Sequence, residues 1–476
     1  MTLTPQISEA SRRQVLRAAG IVGLAVPGAA LLAGCATSSS GAATPGQTGT
    51  ANAANPLGVD TSAPLDVVIF DGGYGETFCQ YDVSLYAKRY PNAKTTLTGI
   101  QDIQSQMQPL FVADTPPDVL DNSGASAMPT ATLVSNGQLS DLAPLLAAPS
   151  LDDPSKTVAD TILPGALTGV QYSGKTMALP YVYTAYGFWY SASLFQQNGW
   201  TWPTTWSAMV ALAAQIKAKG MAPFSYGGTT APDYWLRPLF SLAVKQAGPQ
   251  VLIDIDNLKP GAWQSEAMVN AANVVAQLAS NGSFMSGSAG LSHTEAQTAW
   301  VKGQAGIYAS GSWIENEMKG ITPAGFEMTF GAVPLLDGAN ALPVTALSAA
   351  ASETYVVPTQ AKNQRGGLDY LRTMLSQGAA TKFSELTHAP TIVKGAAAGQ
   401  SFGSTAFAST NAAIAAAGSN TFTYMYTGWY PTMSTTGKTQ IANLLAGRTS
   451  ASGFLSAMQS AADAVAANPS VAKHHR

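Results

Sequence analysis

The chain is short of charge, cysteine and histidine. Lys, Arg, Asp and Glu make up 11% of its 476 residues, against about a quarter in an average soluble protein. The formal net charge is -3, which argues against a nucleic-acid-binding face. Two cysteines, Cys35 and Cys79, and four histidines, His293, His388, His474 and His475, show no metal-ligand spacing. No metal site and no cofactor are therefore expected. The His474-His475 pair reads as a frayed tail. An H-E-x-x-H helix is absent, and neither His293 nor His388 has an evident nucleophile beside it in sequence, so no catalytic residue is assigned. The apolar run at 18–33 is cut by Gly20, Gly23, Pro27 and Gly28, and falls short of the roughly 20 residues that a bilayer span needs.

What is present begins with an address. Ser11-Arg12-Arg13-Gln14-Val15-Leu16-Arg17 is a twin-arginine pattern ahead of that apolar run, which ends in Leu32-Ala33-Gly34-Cys35, a lipobox. Residues 1–34 are thus expected to be a signal peptide, with Cys35 lipidated and the mature protein held at the outer face of the cell membrane. Two acyl chains on Cys35 would supply the two-chain anchoring that one chain cannot. The stretch 35–56 is Ala-, Ser-, Thr-, Gly- and Asn-rich without a charge, a flexible tether that lets a folded body reach a partner in the same membrane. Cleavage removes Glu9 and three arginines, leaving 21 basic and 26 acidic residues. With Cys35 acylated, Cys79 has no disulfide partner. The remaining body is too long for a single core, so two lobes are expected.

Leu65-Asp-Val-Val-Ile-Phe70 reads as a strand running into the glycine-rich loop Asp71-Gly-Gly-Tyr-Gly-Glu76. A helix at about 77–89 follows, then strands near 93–98 and 117–120, the last ending in Asp121-Asn-Ser-Gly124. This is the grammar of an open α/β sheet, in which ligands sit beyond the carboxyl ends of the strands. The loop lacks G-x-G-x-x-G spacing, so a dinucleotide is not indicated. Trp206, Met209, Val210, Ala213 and Ile216 fall on one face of a helix opened by Pro203 and Thr204 or Thr205. Further helices are expected at 266–280, 368–377, 438–446 and 454–467, and extended segments at 177–190, 306–310, 330–333 and 353–357. The segments 178–184 and 347–357 look like crossings between lobes.

Aromatic residues cluster where charge is thin. Tyr181, Tyr183, Tyr186, Trp189 and Tyr190 share one stretch, and Tyr424, Tyr426, Trp429 and Tyr430 another. Tyr226, Tyr234, Trp235 and Trp313 stand beside Gly, Pro or Ser. A pyranose offers apolar C–H faces and a rim of hydroxyls, so its natural site is an aromatic platform with a few placed polar groups. For Trp189 and Tyr190 core packing is the simpler reading. For Trp235, Trp313 and Trp429, packing and ligand contact both stay open. Asp71, Glu76, Asp121, Asp233, Glu315 and Glu353 could supply the two carboxyls of a glycosidase, but spacing alone does not bring any pair together. A polymer-binding adhesion module is a third reading.

Leu179-Pro180-Tyr181…Trp189-Tyr190-Ser191, Trp202-Pro-Thr-Thr-Trp206 and Gly303-Gln-Ala-Gly-Ile…Gly311-Ser-Trp313 together resemble the family 1 extracellular solute-binding lipoproteins of carbohydrate ABC importers. Pro64-Leu-Asp-Val-Val-Ile-Phe-Asp-Gly-Gly73, Thr115-Pro-Pro-Asp-Val-Leu-Asp-Asn-Ser-Gly124 and Ser292-His-Thr-Glu-Ala-Gln-Thr-Ala-Trp300 are most similar to the actinobacterial N-acetylglucosamine/diacetylchitobiose-binding subgroup. The resemblance implies a two-lobe periplasmic-binding-protein-like α/β fold with discontinuous lobes: 57–180 with 351–395, and 181–350 with 396–470. Hinge strands would join the lobes around a ligand cleft. It implies capture of an aminosugar without catalysis, by a monomer that delivers it to membrane permease subunits and their ATPase. It implies ligand contacts at Asp71, Tyr74, Glu76, Asp121, Asn122, Ser123, Tyr183, Tyr186, Tyr226, Tyr234, Trp235, Ser310, Ser312, Trp313, Tyr426 and Trp429, with Trp313 and Trp429 as the stacking platform. Residues 227–232 and 421–427 depart from the subgroup's pattern and border these contacts, which leaves the exact sugar open.

Overall fold

The computed structural model describes residues 49–124 and 126–476; the expected signal peptide, Cys35 and most of the tether lie outside them. Within the tether's last residues, the Asn55 side chain donates to the Val59 carbonyl and accepts from the Val59 N–H, both at 2.8 Å. The fixed body therefore begins before residue 57. Among the described residues no helix is long and apolar enough to cross a membrane.

The strands are β1 (Leu65–Phe70), β2 (Thr95–Ile100), β3 (Val119–Asp121), β4 (Gln171–Tyr172), β5 (Lys175–Thr176), β6 (Leu179–Ser191), β7 (Ala222–Ser225), β8 (Ala305–Gly311), β9 (Met328–Gly331), β10 (Leu347–Val356) and β11 (Thr421–Phe422). Nine form one mixed sheet in the order β2-β1-β3-β10-β6-β8-β7, with β11 on β10 and β9 on β6; β4 and β5 make a separate hairpin. β1, β2 and β3 run parallel, as do β7 and β8. Their apolar residues are covered by helices on both faces, which is why β1 reads as a near-continuous apolar run.

Both expected crossings exist, and they are partners. β6 and β10 pair antiparallel from Ser348↔Tyr186 to Tyr355↔Leu179. The ladder is skipped once, at Glu353, which holds a φ of 51°. A left-handed backbone is uncommon for a residue with a side chain. Apolar clusters lie to either side of this pair. One side gathers Val67, Ile69, Tyr86, Val119, Tyr181, Tyr355 and Tyr370. The other gathers Phe188, Met209, Ile216, Trp235, Leu239, Trp263 and Met458. Two cores joined by two paired strands make a two-lobe α/β fold.

Local rules account for the helices. Trp206–Ala218 starts where the Thr205 hydroxyl accepts the Ala208 N–H, a standard N-cap. Its buried face is Trp206, Met209, Leu212, Ala213 and Ile216, whereas Val210 is 39% exposed. The expected face was thus right at four positions and rotated at one. The single helix expected at 368–377 is two, Gln364–Met374 and Gln377–Thr387. The Ser376 hydroxyl accepts the Ala379 N–H and caps the second.

Candidate functional site

Where the two cores face each other over β6 and β10, the structure forms an open cleft of about 860 Å³. That lies within the ordinary range for small-molecule sites, about 300–1,000 Å³. Its floor is the crossing pair itself, through Pro180, Tyr183, Tyr186 and Ala349–Ala351. One wall comes from Met128–Thr130, 164–170 and Tyr172, and the other from Arg237, 421–425, Gly428, Ser434 and Thr435. Among the described residues, seven threonines and Ser434 put hydroxyls on the lining, and its charged side chains are Arg237 and Arg476. No Asp or Glu among the described residues lines it.

Arg237 stands at the centre of a ladder of rings. Its guanidinium lies 3.8 Å from the Tyr186 ring centroid and 4.2 Å from that of Tyr424. Nη1 donates to the Thr423 hydroxyl at 3.0 Å. Tyr186 meets the Trp313 indole edge-on at 5.6 Å, Trp313 meets Tyr234 at 5.5 Å, and Tyr234 meets His293 at 6.3 Å. Side chains from four elements thus form one continuous band of cation and rings. Sequence reading passed over Arg237, although one signal marks it. It is a lone cation in the first turn of the apolar helix Leu236–Ala247, where the helix dipole opposes positive charge.

Trp313 is held by an absence. A Cβ added at Gly311 would lie 2.0 Å from the indole Cζ3, so only glycine lets the ring fold against the end of β8. Glycine does similar work at the first lobe's loops. Both Gly72 and Gly124 pack against Phe70, where added Cβ atoms would lie 2.1 and 2.4 Å from its ring. The glycines that suggested a ligand loop therefore clasp one phenylalanine and tie the loops after β1 and β3 together.

The expected site residues divide sharply. Tyr183 and Tyr186 line the cavity, and Trp313 and Tyr234 continue from Tyr186. Tyr74 reaches the same junction. Its ring packs on Phe383, and its hydroxyl is buried near Thr184, Tyr186, Glu317 and Glu353. Burial pushes that phenol well above its ordinary range. Asp71 and Glu76 instead face Gly99 of β2.

Five expected contact residues are buried in the structure away from the cavity lining. Trp235 is 1% exposed and meets Phe188, Phe224 and Phe284 edge-on. Tyr226 packs on Phe284 and Tyr426 on Trp263 within the same core. Ser310 and Ser312 are buried, the former's carbonyl accepting from Trp189 Nε1 and the latter's hydroxyl from the Ala185 N–H. Two more are spent on structure. The Asn122 side chain donates to the Met128 carbonyl and accepts the Met128 N–H, each at 2.8 Å. The Ser123 hydroxyl donates to Asp121 and accepts the Thr354 N–H. Trp429 is 7% exposed, and its indole is covered by the His474 ring at 5.3 Å and 28°. The tail expected to fray is docked there.

The acids pair with their neighbours. Asp121 is buried and Glu353, at the skipped rung beside it, is half-buried. Burial pushes Asp121 up to about 7, and burial together with Asp121's charge pushes Glu353 up. A glycosidase pair stands roughly 5–9.5 Å apart with the sugar between. Glu315 accepts from Ser404 at 2.7 Å and lies 3.2 Å from His388, which puts the acid rather than the histidine in the middle of the three. Gly399-Gln400-Ser401-Phe402-Gly403 has nucleophile-elbow spacing, but it lies in turns with no strand leading into it, unlike the strand-to-helix elbow. Among the described residues no group of His, Cys, Asp and Glu could hold a metal ion, and Cys79 is a buried free thiol.

Comparison with known proteins gives a consistent picture. The sequence pattern of the family described as bacterial extracellular solute-binding protein matches residues 86–416. The diacetylchitobiose-binding protein of Streptomyces coelicolor is 37% identical over 429 residues, covering 90% of each chain. Among solved structures, a chitin oligosaccharide binding protein superposes with a TM-score of 0.68 at 18% identity, covering 85% of this chain and 98% of that one. A protein from work on xylan utilisation by the thermophile Caldanaerobius polysaccharolyticus superposes with a TM-score of 0.70 at 19% identity, covering 83% of this chain and 99% of that one.

Proposed function

Because the chain belongs to the family of bacterial extracellular solute-binding proteins, we propose that it captures N-acetylglucosamine or N,N'-diacetylchitobiose outside the cell. It hands the sugar to the permease of an ABC importer and leaves it chemically unchanged. The lobes are 57–180 with 351–395 and 181–350 with 396–470, closing about β6 and β10. Cys35 carries the lipid, and residues after it tether the body. The observation that carries this reading is the cavity between the two cores, walled by rings, hydroxyls and the Arg237 guanidinium, with no Asp or Glu side chain among the described residues of its lining.

The chemistry of the ligand fits that lining. The C–H faces of each pyranose stack on Tyr186 and Trp313, and threonine hydroxyls meet the rim. The acetamido carbonyl is an acceptor that Arg237, with N–H groups beyond its bond to Thr423, is placed to meet. Sugar touching both walls favours the closed arrangement, since only there does it contact both lobes. A disaccharide of about thirty heavy atoms at ~0.3 kcal/mol per atom gains ~9 kcal/mol, a Kd below micromolar.

A thermal-shift screen tests the assignment. N-acetylglucosamine and diacetylchitobiose are set against maltose, cellobiose, xylobiose and glycerol phosphate. Ligand at a hundred times Kd stabilises by about 2.7 kcal/mol, so the expected result is a raised Tm with the aminosugars alone. Stabilisation only by a sugar without acetamido groups would sink the aminosugar assignment. Shortening of chitooligosaccharides by the pure protein would sink the non-catalytic one.

A further inference from the structure

Residues 470–476 leave the helix Ala451–Ala467 and run back to the cavity. The backbone of His474 is pinned by Tyr430, whose hydroxyl accepts the His474 N–H at 2.9 Å and donates to its carbonyl at 3.2 Å. The His474 ring lies on the Trp429 indole, and Tyr172, from the opposite wall, meets that ring edge-on at 6.0 Å and 88°. Two positions on, Arg476 is clamped three ways. Its Nε lies 2.9 Å from the buried Asp256 carboxylate, its Nη2 donates to the Thr423 carbonyl, and its backbone exchanges hydrogen bonds with Asn257. The other Asp256 oxygen accepts the N–H groups of Met425 and Tyr426. The same carboxylate therefore fixes both the strap and the cavity wall.

Arg476 and Tyr172 both line the cavity. Thr423 takes Arg237 on its hydroxyl and Arg476 on its carbonyl. The strap thus sits at the end of the ring ladder remote from Trp313, and it covers a tryptophan that could otherwise carry a further sugar ring.

We propose that residues 470–476 are a stop that limits the length of oligosaccharide the cavity accepts. This rests on the sugar-binding reading above. A chain growing from Trp313 past Arg237 runs into Arg476 and His474, which are held by a buried ion pair and by contacts to both walls. Shortening the strap opens that end and bares the Trp429 face for an additional N-acetylhexosamine.

The test is calorimetric titration of N-acetylglucosamine oligomers of two to five units into the wild type, Arg476→Ala, and a chain ending at Ser470. The wild type is expected to bind the tetramer about tenfold or more weakly than the dimer, and both variants to bring the two within about threefold while keeping dimer affinity. Should the shortened chain melt below the assay temperature, Tyr172→Ala relieves the same stop from the facing wall. An unchanged dimer-to-tetramer ratio in folded variants, or no length preference in the wild type, overturns the stop alone. Failure of every protein to bind any oligomer overturns the sugar reading and the stop with it.

Discussion

Gly311→Ala is the sharpest probe of the ring ladder, because it adds one methyl group and touches no proposed ligand atom. The added Cβ would lie 2.0 Å from Trp313 Cζ3, where ordinary contact begins near 3.4 Å. The indole must retreat by about the difference, 1.4 Å, and both its edge contacts, with Tyr186 and with Tyr234, are disturbed. Each such pair is worth about 0.5–1.5 kcal/mol, so the fold should lose roughly 1–3 kcal/mol, a drop in Tm of a few degrees for a chain of this size. Affinity should suffer more in proportion. A pyranose on an indole removes roughly 80 Å² of apolar surface from water, about 2 kcal/mol at ~25 cal/mol per Å². That is a loss of about thirtyfold in Kd for diacetylchitobiose by calorimetry. Trp313→Ala should lose a similar factor, and adding Gly311→Ala to it should cost nothing further, since the two act through one ring. A folded Gly311→Ala protein that binds as the wild type does would refute the placement of Trp313 in the site.

Two further outcomes follow from buried charge. Burial pushes Glu317 up to about 7 from an ordinary 4.5, so its contribution to stability is greatest at low pH and is lost as pH rises through that value; Glu317→Gln, which can still accept from Gln297, should flatten the fall in Tm between pH 5 and 8, and an identical Tm profile would contradict this. Asp369, fully enclosed, lies 2.8 Å from Arg89 and 3.2 Å from Arg372; Asp369→Ala strands two guanidiniums and should cost about 3–5 kcal/mol in urea denaturation while leaving sugar affinity unchanged, and a loss near zero would mean that the cluster is solvated.

The sequence disclosed local order better than burial. Thr205 and the periodicity after Trp206 announced a helix, yet choosing Leu212 over Val210 for its inner face required knowing which neighbour it packs on. The paired crossings were readable because extended apolar segments without turn signals have few other uses. Side-chain roles were harder. Trp235 and Tyr426 lie near proline and glycine, as loop residues do, and nothing local reveals that Phe284 or Trp263, from distant segments, encloses them. Asn122 and Ser123 occupy the place where α/β sheets bind ligands, but their hydrogen bonds go to Met128 and Thr354, which no spacing rule predicts. Tyr183 and Tyr186 were legible because a strand that joins two cores exposes its residues to the space between. Arg237 carried its own signal, a charge where a helix disfavours one.

The antiparallel pairing of β6 with β10 has a mechanical corollary. Two separate linkers could flex independently, whereas a hydrogen-bonded pair must bend as one leaf, with its softest point at the skipped rung beside Glu353. The cavity floor is that leaf, so contacts to Tyr183 and Ala349–Ala351 lie almost on the rotation axis and exert little torque on closure. Trp313 follows Gly311, which pairs with Tyr186 on that same leaf, while Tyr172 and Trp429 reach the space from opposite walls. A ligand that grips the floor alone can bind tightly and still leave the jaws open, while one that touches both walls can close them with modest affinity.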